Sequence, residues 1–162
     1  MDPRMQQAIT LRAAGEYEES RELLRALAEI QTLKAEALLN IAWSYDNQGL
    51  EERAAEYYQA ALNEGLEGDN KLEAQLGLAC TWRCLGNYLL AKQGFEEIIR
   101  DYPEASEAIP FYALCLHNLG EHDRAMALML ELVSNHPPTP GVQRYAKALA
   151  YYAKNLAGYA NL

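Results

Sequence analysis

Signals for β-structure are scarce in this sequence. The few alternating apolar stretches all sit inside helical periods, and alanine, leucine, glutamate and arginine, all good helix formers, dominate. A sheet-based fold is excluded and an all-α fold is expected. Positive charge is also short: 14 Lys and Arg stand against 23 Asp and Glu, a net charge of −9. No basic face remains to neutralise phosphates, which excludes nucleic acid and an anionic membrane surface as partners. No run of about 18 apolar residues exists to span a bilayer. The first ten residues, MDPRMQQAIT, lack the apolar stretch of a signal peptide, so the expected location is cytoplasmic. Cysteines are few and odd in number (Cys80, Cys84 and Cys115), which points to reduced thiols rather than a disulfide framework.

Reaction-bearing motifs are missing as well. None of the ten glycines forms a G-x-G-x-x-G or G-x4-G-K loop. Nucleophilic catalysis needs a base beside a nucleophile, and His122 and His136 instead fall at helix ends, as surface residues do. Carboxylate clusters such as Glu16, Glu18, Glu19 and Glu22, or Glu51, Glu52 and Glu56, have the spacing of a solvated helix face. The expectation is a non-enzyme without a cofactor.

What is present is a repeat. Gly15, Gly49, Gly86 and Gly120 are 34, 37 and 34 residues apart, each with a helical run before and after it. Seven residues before each glycine is a small residue (Ala8, Ala42, Ala79, Ala113), and five after it another (Ser20, Ala54, Ala91, Ala125). Four before it is a large apolar one (Leu11, Tyr45, Trp82, Leu116), and nine after it another (Leu24, Tyr58, Phe95, Met129). Small residues let two helices approach closely, and large ones fill the space between pairs. The glycine ends the first helix, where a left-handed backbone is easiest without a Cβ. The spacing predicts helices over about 3–14, 16–30, 33–48, 50–64, 71–85, 88–101, 105–119 and 122–135. The extra residues at Glu64–Asn70 read as a longer turn, with Asn70 capping the next helix and Glu73 completing a capping box. Pro110 fits a late start of the seventh helix, where a proline loses few backbone bonds.

After Pro137-Pro138-Thr139-Pro140-Gly141 a last helix is expected over about Val142 to Ala157. Its apolar residues Val142, Tyr145, Leu149, Tyr152 and Leu156 fall at spacings of three and four, as one stripe suited to covering the last pair. Tyr151 and Tyr159 lie off that stripe and suggest a self-association patch.

The pattern resembles the tetratricopeptide repeat, with its period of about 34 residues and its W-x2-L-G-x2-Y, A-x3-F and P positions. Leu78-Ala79-x2-Trp82, Ala91-x3-Phe95 and Pro103 carry it in the third repeat, and Tyr112-Ala113-x2-Leu116, Ala125-x3-Met129 and Pro137 in the fourth. The first repeat is the poorest match. GLEGDN, TWRCLGNY and NLGEHDRAM further resemble the small bacterial set called tetratricopeptide repeat group 5. The resemblance implies one domain over 1–162, a right-handed superhelical solenoid of four helix-turn-helix pairs (about 1–32, 33–68, 69–103 and 104–137), with a capping helix over about 140–158. It implies a protein–protein interaction module, a scaffold or adaptor, with the first helix of each pair lining the concave side.

On that register the expected groove residues are Met5, Ile9 and Arg12 in the first repeat and Leu39, Trp43, Asp46 and Asn47 in the second. Leu76, Cys80 and Arg83 follow in the third, and Leu114 and His117 in the fourth. The middle positions form an apolar row with Trp43 as the anchor. Arg12, Arg83 and His117 edge it and suit a partner's carboxylate, while pairing of Arg83 with Asp46 within the chain is the alternative. The lysine–asparagine clamp of chaperone-binding relatives is not reproduced, since Met5, Ile9, Leu39 and Trp43 stand at the comparable places. Cys80 and Cys84, with His117, could begin a zinc site, but a fourth ligand is missing. The expected partner is a peptide or helix of another protein, and a second copy of the chain is the alternative.

Overall fold

The computed structural model describes residues 2–157. Among them there are helices and no strands: α1 (Pro3–Ala13), α2 (Tyr17–Ala28), α3 (Gln31–Asp46), α4 (Glu51–Asn63), α5 (Gly68–Cys84), α6 (Tyr88–Asp101), α7 (Ala108–Asn118), α8 (His122–Asn135), α9 (Pro140–Gln143) and α10 (Ala146–Lys154). The chain packs as two compact units, Met1–Gly94 and Phe95–Leu162, with the boundary inside α6.

The first helix of each pair ends in the same way. The backbone N–H groups of Glu16, Leu50, Asn87 and Glu121 donate to the carbonyls of Leu11, Tyr45, Trp82 and Leu116 at 2.9, 3.0, 2.8 and 2.8 Å. That long bond closes only if the residue before the donor adopts positive φ, and the four turn glycines do so at 69–84°. The expected small residues are buried at every repeat. In the first unit α3 packs on both α1 and α2, and α5 on both α3 and α4. Ser20 Oγ donates to the Ala8 carbonyl at 2.7 Å, which locks α2 onto α1. One approach is closer still: a Cβ at Gly77 would meet the buried Tyr58 ring at 2.5–2.7 Å, so α5 needs glycine there.

In the second unit Phe95 and Tyr112 pack with ring centroids 6.0 Å apart, and the Tyr112 hydroxyl donates to Glu96 at 2.8 Å. α7 packs on α8, and α10 packs on α8 as well.

Two local expectations are corrected, at the start of α5 and at the last helix, and the late start expected of the helix that carries Pro110 is met. α5 begins at Gly68, behind an extended Glu67 with no side-chain cap, so Asn70 lies in its first turn and the box with Glu73 does not form. α7 begins at Ala108, which places Pro110 in the first turn, where no helical backbone bond is lost. The last helix is not continuous: it breaks at Arg144 and Tyr145 into α9 and α10. The break rotates the register. Tyr145, Tyr152 and Leu156 are exposed, and the face held inward is Ala146, Leu149, Ala150 and Ala153. Tyr151 is exposed and stands edge-on to Tyr152, with centroids 5.6 Å apart; Tyr159 lies outside the described residues.

Candidate functional site

The expected groove residues have different fates in the two units. In the first unit, Met5 and Leu39 are fully buried in the core cluster. They offer no surface to a ligand, and packing itself requires apolar side chains at these two places of the row. Neighbouring first helices touch, and Met5 lies between them: its sulfur is 3.8 Å from Asn40 Nδ2 of α3. Ile9 and Trp43 are partly buried against the same cluster, Leu76 and Cys80 are partly buried, and Asn47 is exposed.

The polar members near Trp43 form a small constellation. The Arg12 guanidinium lies 5.0 Å from the centre of the Trp43 ring. Burial draws its pKa below the usual arginine range, against a small opposing effect of Tyr58. Asp46 accepts a hydrogen bond from the Tyr58 hydroxyl at 2.7 Å. Burial first, and that carboxylate second, hold the Tyr58 pKa far above the ordinary tyrosine value, so the hydroxyl remains a donor. Arg83 is partly buried. Burial also pushes the Cys80 thiol up to about 12. A protonated thiol is not the form that binds a metal or attacks a substrate. Cys84 is exposed beside it, and His117 belongs to the second unit. Among the described residues no group of three or more His, Cys, Asp or Glu could hold a metal ion.

In the second unit the same register opens to solvent. Leu114 is 46% exposed and His117 is exposed. They border an apolar hollow of about 700 Å³ between α7 and α8. α7 contributes Pro110, Ala113, Leu114 and His117; α8 contributes His122, Ala125, Met126 and Met129. The His117 and His122 rings are tilted at 55° with centroids 4.6 Å apart and their Nδ1 atoms 2.9 Å apart, so one nitrogen carries a proton that the other accepts. The physical cause of the opening is the repeat itself. Ala113 and Ala125 are the small residues of the repeat at this pair, and they leave the floor between α7 and α8 shallow and apolar. Here no further pair follows within the described residues, and α10 packs on α8 without filling the hollow. Met126 and His122 are missed by a search confined to first helices. They stand on the second helix of the pair, α8, whose face toward α7 borders the hollow.

Comparison with known proteins reaches the same architecture from outside. Among solved structures, YrrB, described as a TPR protein with an unusual peptide-binding site, superposes with a TM-score of 0.71 at 19% identity, covering 95% of this chain and 78% of that one. MamA AMB-1 gives 0.67 at 18% identity, covering 96% and 81%. A double mutant of MamA RS-1 gives 0.71 at 16% identity, covering 96% and 91%. Similarity at this level establishes a shared fold. None of the curated proteins matches the sequence. The Tetratrico peptide repeat family model matches residues 35–156, and the chain belongs to that family.

Proposed function

We propose that this protein is a non-enzymatic interaction module whose second unit takes an apolar helix of a partner protein into the hollow between α7 and α8. The observation that carries the reading is the half-exposed pair Leu114 and Met126 on either side of an apolar floor. Exposed apolar patches of this kind mark interaction sites on soluble domains. A helix seated there would repeat the packing that α3 makes on α1 and α2. The family fold is one that serves protein–protein interaction, and a peptide is the ligand class named for its neighbour YrrB.

Stacking of a second copy through its α1 is the weaker occupant. At the repeat positions where α3 carries Leu38, Ile41 and Tyr45, α1 carries Arg4, Gln7 and Leu11. A separate self-association reading rests on α10, whose Tyr145, Tyr151 and Tyr152 are exposed.

The test is affinity capture from the native cell with wild type, Leu114→Glu and Met126→Glu. Both side chains are half-exposed, so the variants should keep their stability to within about 0.5 kcal/mol. They should lose the proteins that wild type retains. Retention of the same proteins by folded variants would end the reading.

A further inference from the structure

We infer that Arg12, seated on the Trp43 ring, is a receptor for a single peptide carboxylate supplied by a partner with neutral or basic flanking residues. The site is in the first unit and does not rest on the hollow between α7 and α8.

The argument begins with charge. With 23 carboxylates for 14 cationic side chains, counter-ions are plentiful in this chain. Arg4, Arg21, Arg25, Arg53 and Arg100 each hold one at 2.7–2.9 Å, and Arg124 meets two at 3.5 and 3.8 Å. Arg21 shows how the fold treats an arginine it means to keep inside: its guanidinium lies 4.3 Å from the Tyr45 ring centre and also reaches Ser44, Gln48 and Glu18. Arg12 has the ring and lacks the rest. It is partly buried and, among the described residues, takes no ion pair. Removing a cation from water without a counter-charge is unfavourable, and an aromatic face returns only part of the loss.

Asp46, at the end of α3, accepts from the Tyr58 hydroxyl at 2.7 Å and makes no ion pair with Arg12 among the described residues. Guanidinium carries five N–H donors, and contact with a ring face leaves its edge available for a bidentate carboxylate. The partly exposed indole beside it offers apolar contact to the residue that bears the carboxylate. A single cation favours a monoanion over a phosphate dianion. The net charge of −9 favours a ligand that brings no further negative charge. This is one arginine on one indole, distinct from a clamp of lysine and asparagine.

The test follows the Arg12 Nε–H and Trp43 indole N–H resonances of the whole chain during titration. The probes are a short N-acetylated peptide with a free C-terminal carboxylate, its C-terminal amide, two amide-capped peptides bearing one glutamate or one glutamine, and inorganic phosphate. Saturable shifts with the free acid or the glutamate peptide, but not with their amide counterparts, are expected, and whichever acid binds more tightly identifies the source. Arg12→Gln should weaken that binding about tenfold or more. Arg12→Lys keeps the charge and should retain part of it. Helix content of both variants is checked by circular dichroism. Equal shifts with acid and amide, unchanged affinity in folded Arg12→Gln and Arg12→Lys, or phosphate binding more tightly than either acid would overturn the inference.

Discussion

Gly77 and Tyr58 show how closely single residues are specified. A methyl group at Gly77 would enter the Tyr58 ring at 2.5 Å, and the ring is fully buried with its hydroxyl tied to Asp46. Gly77→Ala should therefore destabilise the protein by about 1–3 kcal/mol despite the better helix propensity of alanine, as measured by denaturant unfolding. Two buried tyrosines, Tyr58 and Tyr112, also set an alkaline limit. Tyr58 and Tyr112 both have pKa values raised by burial and by a bonded carboxylate, Asp46 and Glu96. A raised folded-state value means that the native state holds the proton more tightly than the unfolded chain does. Stability is then full below the ordinary tyrosine value of about 10 and falls as pH rises beyond it. Unfolding measured from about pH 8 to pH 11 should show that fall, and Tyr58→Phe should flatten it. Neither constraint was legible in the sequence. Tyr58 reads there only as a large apolar residue after a glycine, because its partners Gly77 and Asp46 lie on other helices at no fixed spacing.

At the scale of elements, the helices were legible where the repeat imposes them. Small residues at fixed distances from Gly15, Gly49, Gly86 and Gly120 are buried in every pair, because only a short side chain lets the two helices meet. Legibility fails at the last element. The stripe Val142, Tyr145, Leu149, Tyr152, Leu156 assumed one continuous helix, and the break at Arg144 and Tyr145 turns a different face inward. The aromatic edge thus left outward on α10 gives the self-association reading its test. Light scattering across a wide concentration range should report a dimer or larger species that Tyr145→Glu dissociates; a monomer at every concentration would exclude it. The candidate site was legible only in part for the same kind of reason. Position along a first helix was readable, but the burial of Met5 and Leu39 and the exposure of Leu114 depend on what packs over each helix once the chain is folded.

For the molecule as a whole, composition and repeat spacing were enough to reach an all-α tetratricopeptide-type architecture, because both are properties of the entire chain. The partner is a property of the surface left after folding, which in the second unit is the hollow holding Leu114 and Met126. The central claim is that this hollow binds a partner's helix, and the most direct measurement is the dissociation constant of the captured partner segment for wild type, Leu114→Glu and Met126→Glu. The account predicts a weakening of about tenfold or more in each variant, since a carboxylate would enter an apolar contact without a partner. Equal constants for all three folded proteins would contradict it.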